Sequence, residues 1–356
     1  MQPSSLPCDP IRLIPRQQPT VWGGSLLHDL LRKPASVEPV GESWEVWEGD
    51  RVADGPLAGK TLGDLSRSFP DALLGPEGQR VGNGRFPLLT KFIDAQQPLS
   101  VQVHPNDLQA GELEGQPNGK TEAWHILAAA EGAWVIHGLE KVVDPTTLRA
   151  RLQAGTADPL LRKVVVRPGD TVFVPAGTIH AIGPGVLLHE VQQTSDVTYR
   201  LYDWNRQAQG SKRELHLDKG LRVSRCERSR SPVVLPLEWE QLSIRWQLIL
   251  ATPYFIAKRA ELQRAVEVDT LGRSFHILTV LEGRGFVETG GAGRLQLAAG
   301  DSVVLPACLQ RYRLSPDGEL TVLIEHESDI TQELVPELRT LGLPQSRIDD
   351  FLAQFS

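Results

Sequence analysis

The sequence predicts a mainly β protein made of two copies of one β-barrel unit, with a few short helices. Three observations predict it. The 32 glycines and 26 prolines fall between short β-branched stretches, the texture of strands joined by turns. Helix-favouring runs are few. And one pattern occurs twice: Gly169–Ala176 (GDTVFVPA) matches Gly300–Ala307 (GDSVVLPA), each preceded by His-Ile-Leu (125–127, 276–278) and a Glu-Gly turn (131–132, 282–283). Turn, strand and proline in the same order at so long a period mean duplicated domains, not a solenoid. The 356 residues are enough for two cores. The expected units are 1–235, with an N-terminal extension and a helical insertion at about 144–162, then 236–327, then a helical tail over 328–356.

The elements follow in order. Residues 1–85 are turn-rich, anchored by Trp22, Trp44 and Trp47. Phe86–Asp94 and Leu99–His104 read as strands, and 106–121 as a polar loop with at most a helical turn. Thr121–Leu127 and Ala133–His137 are strands around the turn at 131–132. Asp144–Leu152 is the clearest helix of the first half, because Asp144 can cap it and Pro145 suits its first position. Lys163–Val166, Thr171–Val174, Leu187–Val191 and Val197–Leu201 are further strands. Residues 206–240, holding Arg222, Arg225, Arg228 and Arg230, read as a charged connector. A second β-rich block runs from about 241 to 326. Leu334–Leu341 and Ser346–Leu352 are amphipathic and helical.

Composition excludes several function classes. A chain with 40% hydrophobic residues is not broadly disordered. A net charge of −7 without basic runs argues against nucleic-acid partners, so an anionic substrate would need positive charge local to a pocket. The cysteines, Cys8, Cys226 and Cys308, form no CxxC pair, and the odd count fits a reducing compartment. The start of the chain has no basic stretch leading into an apolar one, and no apolar run approaches the ~18 residues of a membrane span. The expectation is a cytoplasmic protein without a membrane partner.

Three stretches carry candidate chemistry. In Ser100–His104 (SVQVH), alternation puts Gln102 and His104 on one face of a strand, roughly 6–7 Å apart, with Val101 and Val103 on the other. In Gly119–Trp124 (GKTEAW), Lys120 and Glu122 are again co-facial. In Pro175–His180 (PAGTIH), Pro and Gly end a strand and His180 opens its partner. Two imidazoles, a carboxylate and an amide oxygen make a plausible Zn²⁺ set with room for water or substrate. Against this, nine histidines in the chain are ordinary stock, and a lone histidine on a strand is more often structural; His125, His137, His189 and His216 invite the same argument. The repeat weighs in. Counted from the shared prolines and histidines, His180 corresponds to Arg311 and Glu122 to Arg273, so one barrel can hold a metal and the other is expected to be metal-free. His125 corresponds to His276 and reads as structural. In 187–200, Glu190, Asp196 and Arg200 are ionisable groups in a β-like segment, each by itself explicable as a surface charge. Lys91, between residues a strand buries, either snorkels outward or lines a polar cavity.

These stretches together resemble the type I mannose-6-phosphate isomerases in their short bacterial form. The resemblance rests on FPLLTKFIDA, LSVQVHPND, GKTEAWHIL and VPAGTIHAIGPGVLLHEVQQTSDVTYRLYDW, with WGGSLL and GESWEV near the start. It spans roughly residues 12 to 325, and QxH, KxE and PAGxxHA in this order make it specific. It implies a double cupin (jelly-roll) fold with one zinc ion per chain, held by Gln102, His104, Glu122 and His180, and it places Lys91, Ser100, Lys120, Glu190, Asp196 and Arg200 around a small phosphosugar. Longer members often carry histidine where this chain has Gly119, so a role for that histidine does not carry over. The implied reaction is the interconversion of mannose 6-phosphate and fructose 6-phosphate through a cis-enediol. It needs a base, a proton shuttle and stabilisation of negative charge on oxygen. Zinc would act as Lewis acid or orienting ion, and Arg200 and Lys120 would stabilise the enediolate. The base could be Glu190, Asp196 or a lysine of lowered pKa; Lys91, Ser100, Lys120 and Arg200 are candidates for the phosphate. The competing readings are a cupin dioxygenase, an isomerase of another phosphosugar, and a non-catalytic sugar-binding cupin protein. Monomer and homodimer are both compatible with the sequence.

Overall fold

The computed structural model describes residues 5–82, 84–208, 211–227, 232–290 and 293–355. Arg228 and Arg230 of the connector, and residues 1–4 at the start of the chain, lie outside these. The architecture is mainly β, and every strand pairing is antiparallel.

The first barrel closes between two sheets. One has six strands in the order Arg16–Gly24, Val40–Val46, Leu88–Ala95, Val186–Gln193, Glu122–Ala129, Thr171–Val174. The other has five, in the order Tyr199–Tyr202, Val101–Val103, His180–Ile182, Trp134–Leu139, Leu161–Val165. Alternation sorts the side chains. Val101, Val103, Ile136 and Ala181 point outward, beneath Leu148 and Leu152 of the helix Pro145–Gln153. Trp124, Ile126, Val172 and Val174 point into the barrel.

The second barrel is one nine-stranded sheet built on His276–Glu288 and Arg311–His326. The chain's own start joins it, since Ile11 and Arg12 pair with Val304 and Val303. Between the barrels lies a shared core. Leu88, Ala123 and Val191 of the first meet Leu250, Ile277 and Leu323 of the second, and Leu334, Leu338, Ile348 and Phe351 of the tail are part of it. The two amphipathic tail stretches form the helices Val335–Thr340 and Gln345–Leu352.

Four sequence readings need correction. The turn-rich start contains helices at Leu62–Ser68, Pro70–Leu73 and Gly75–Gly82. The polar loop contains the helix Asp107–Glu114, opened by a capping box between Asn106 and Gln109; only Ala110 of its face is buried, so it has no apolar stripe for periodicity to register. The connector holds the helix Leu217–Val223. Cys8 and Cys308, 300 residues apart, form a disulfide with Cα atoms 5.6 Å apart, a pairing that their spacing in the sequence did not suggest.

The repeat was also misaligned by three residues at the histidines. Ile126 exchanges backbone hydrogen bonds with Gly169 and Asp170, and Val280 does so with Gly300 and Asp301. In the ladders Glu122 therefore opposes Val174 as His276 opposes Leu305. His276 is the counterpart of Glu122, not of His125. The two histidines face different ways: His276 points into the second barrel beside Leu278 and Val280, whereas His125 is paired with His189, which reaches across to Glu325 of the second barrel at 2.9 Å.

Candidate active site

The ladders of the first barrel bring the candidate residues together. Across the five-stranded sheet, Arg200, Gln102, His180 and His137 lie directly opposite one another in turn. Across the six-stranded sheet the run is Trp44, Lys91, Glu190 and Trp124, with Gln192 opposite Glu122 in the same ladder. Directly opposed residues share a face, so both rows line the barrel interior. His104, one residue beyond its strand, and Lys120, before the next, complete the group.

His104, Glu122 and His180 are buried, and their ligating atoms lie within 4.8 Å of one another. His104 Nδ1 donates to the Val197 carbonyl at 2.9 Å and His180 Nδ1 to the Thr178 carbonyl at 2.8 Å. That fixes the tautomers, leaving each Nε2 as a lone pair aimed inward, the usual arrangement around a metal-ligating imidazole. His180 Nε2 and Glu122 Oε1 are buried without a hydrogen-bond partner. Nε2 of His180 is 3.2 Å from Oε1 and Nε2 of His104 3.4 Å from Oε2. Burial, aided by Lys120, lowers the His104 pKa to about 3, and burial lowers that of His180 despite Glu122. Burial alone would raise Glu122, but Lys120 and the two histidines outweigh it and hold the carboxyl well below its ordinary value. Neutral imidazoles with an ionised carboxylate are the state in which these groups bind metal. The set attracts a cation: the Lys120 ammonium lies 2.7 Å from Glu122 Oε2 and 3.1 Å from His104 Nε2. Two N donors, one O donor and the facing Gln102 amide fit zinc.

Beside this group is a buried charge chain. Glu190 Oε1 accepts from the Trp124 indole at 3.0 Å, and its Oε2 meets Lys91 Nζ at 3.1 Å. Lys91 also lies 3.7 Å from Glu42, whose other partner is the Trp44 indole at 2.7 Å, and 4.8 Å over the Trp44 ring. Lys91 thus lines the cavity and does not snorkel. Burial works against its charge, but Glu190 and Glu42 outweigh that and raise its pKa, which argues against Lys91 as the lysine of lowered pKa. Trp124, Glu42 and Trp44 were missed as site residues; their place opposite Lys91 and Glu190 is visible only in the ladder.

Arg200 is half-buried. Its Nη1 donates to the Glu214 carbonyl at 3.1 Å, its Nε is buried without a partner, and its backbone N–H donates to His216 Nδ1 at 3.1 Å. Burial and then Arg213 lower its pKa, with Arg206 adding to the effect. These two arginines were also missed. Ser100 is buried two residues before Gln102, on the same face. Asp196 stands apart: it is exposed, and among the described residues no hydrogen bond or ion pair ties it to the group. At Gly119 a Cβ would meet backbone atoms of Asn106 and Asp107 at 2.4 and 2.6 Å, so no side chain fits there.

Residues 11–123 match the family model described as phosphomannose isomerase type I, catalytic domain. The mannose-6-phosphate isomerase of Streptococcus mutans is 33% identical over 331 residues, 90% of this chain and 99% of that protein. Mannose-6-phosphate isomerase ManA of Bacillus subtilis is 35% identical over 324 residues, 89% and 99% of the two chains. The chain belongs to the type I mannose-6-phosphate isomerases. The crystal structure of the mannose 6-phosphate isomerase from Bacillus subtilis superimposes with a TM-score of 0.79 at 33% identity, covering 89% of this chain and 99% of that one. Phosphomannose isomerase from Salmonella typhimurium, at 19% identity and a TM-score of 0.69, shares the fold. The type I isomerase frame is thus the double cupin that the resemblance implied, and it agrees with the two β-barrel units expected from the repeat.

Proposed function

We propose that the protein interconverts mannose 6-phosphate and fructose 6-phosphate through a cis-enediol, with one zinc ion held by Gln102, His104, Glu122 and His180. The observation that carries this reading is the convergence of two buried, tautomer-fixed Nε2 atoms on a buried carboxylate. Zinc bound there supplies a Lewis acid at the substrate's oxygens. The chain's own groups do the rest. Lys120, inside the group, and Arg200, opposite Gln102, put positive charge where an enediolate oxygen develops. Between the two carboxylate candidates for proton transfer, burial and contact favour Glu190 over the exposed Asp196. Lys91 already carries two carboxylates, whereas Arg206 and Arg213 share the single carboxylate of Asp203, so Arg200 with these two arginines beside it supplies the net positive charge for the phosphate, and Ser100 offers a hydroxyl.

We place the protein in the cytoplasm, where a charged phosphate ester that cannot cross a bilayer is available to it. Among the described residues no helix is long and apolar enough to cross a membrane.

The experiment is turnover of mannose 6-phosphate by purified protein before and after chelation, with zinc added back. Activity lost on chelation and restored by zinc is the expected result. A folded, zinc-loaded protein without this activity would move the reading to another phosphosugar.

A further inference from the structure

The mouth of the second barrel holds a cavity of about 360 Å³, within the ~300–1,000 Å³ of small-molecule sites. It is the ladder counterpart of the first barrel's site. His276 stands where Glu122 stands. Lys258 opposes Ile324, which opposes Leu278, as Lys91 opposes Glu190, which opposes Trp124. The lysine is kept and the metal ligands are replaced.

The lining is polar on one side and aromatic on the other. His276 Nδ1 bonds the Tyr312 hydroxyl at 2.9 Å, and His326 Nδ1 donates to the Glu327 carbonyl at 3.1 Å. Among the described residues neither Nε2 has a hydrogen-bond partner, and the two rings lie 4.9 Å apart. Burial keeps both imidazoles neutral. Trp239 and Trp246 stack in parallel at 6.0 Å, and both line the cavity.

Charge decides what class of ligand fits. Four of the five lining carboxylates already meet a cation: Glu337 with Lys258 at 2.6 Å, Glu333 with Arg273 at 2.9 Å, Asp269 with Arg311 at 2.6 Å and Glu267 with Arg313 at 3.6 Å. The fifth, Glu327, is buried and pushed well above the usual carboxyl range by that burial. Both lining cations, Lys258 and Arg273, are taken. No spare positive charge remains for a phosphate and no spare negative charge for an ammonium. What remains is an aromatic wall and the edges of two imidazoles, His326 Nε2 among them as an acceptor, which suits a ring with an apolar face and a rim of hydroxyls.

We propose that the mouth of the second barrel binds an uncharged hexose unit, free or at the end of an oligosaccharide, independently of the first barrel's site. The tail belongs to this site, because Glu333 and Glu337 neutralise its two cations.

The test is calorimetric titration of the full-length protein with methyl α-mannoside, methyl α-glucoside and mannotriose, none of which carries a phosphate. Saturable binding of at least one is expected. It should weaken at least about tenfold in Trp239→Ala and His326→Ala and stay unchanged in His104→Ala. Gln241→Ala, at the exposed rim, serves where a buried substitution does not fold. Saturation by a methyl glycoside assigns a free hexose, and saturation by mannotriose alone assigns a chain end. No saturable binding by any probe overturns the proposal, as does binding that is lost in His104→Ala and kept in Trp239→Ala.

Discussion

Arg200 lies on one strand of the first barrel and His104 one residue beyond the adjoining strand, and the proposed mechanism gives them different tasks. His104 Nε2 belongs to the group that suits a metal, whereas Arg200 bears on it from the neighbouring strand. His104→Ala should lose both bound zinc and turnover. Arg200→Ala should keep zinc at full stoichiometry and lose most turnover; metal analysis alongside a coupled assay separates the two, and full zinc in His104→Ala would sink the ligand assignment. Asp50 offers a test of stability. Burial raises its pKa to about 7, against the pull of Arg16 and helped by Glu45. The folded state therefore favours the protonated carboxyl. Its contribution is intact below pH ~4, the unfolded value, and is lost as pH rises to about 7. Asp50→Asn should match the parent near pH 4 and exceed it by roughly 2–4 kcal/mol above pH 7, read by denaturant titration at both pH values. Gln102 and His104 were legible because a spacing of two on a strand implies one face, Glu122 through the same spacing from Lys120, and His180 through the Pro-Ala-Gly turn before it. Glu42, Trp44 and Trp124 were not, since nothing local ties them to Lys91 or Glu190.

At the scale of the element, legibility depended on whether an end signal and an apolar stripe coincided. The helix Pro145–Gln153 has both: Asp144 accepts from the Thr146 and Thr147 N–H groups at 2.9 and 3.2 Å, and Leu148 and Leu152 are buried. Asp144→Ala should lower the thermal midpoint by loss of the helix cap and leave zinc content unchanged, read by a melting curve alongside metal analysis. The helices Leu62–Ser68 and Asp107–Glu114 also have capping boxes, but they are short, and the second has no apolar face, so loops were read there. The repeat shows a different limit. A match by residue type put His125 beside His276, but the ladders pair His276 with the place of Glu122. An odd shift along a strand reverses which face a side chain takes, and only hydrogen-bond register measures it.

Across the whole molecule, the core between the barrels draws on both sheets and the tail. Leu338 is fully buried in it. Leu338→Ala should cost about 2–5 kcal/mol, and because the core is shared, thermal unfolding should remain a single transition for both barrels; two separated transitions would show that the barrels fold apart. The alternating strands, the duplication and the candidacy of His104, Glu122 and His180, which the fold brings together, were legible in the sequence alone, because alternation and turn chemistry are local. The tertiary structure decided the rest: the union of Cys8 with Cys308, the tail's place in the shared core, the charge chain from Trp44 to Trp124, and the face each repeated histidine takes. Each of these depends on which strands lie side by side and in what register, and those contacts join residues that local spacing along the chain does not relate.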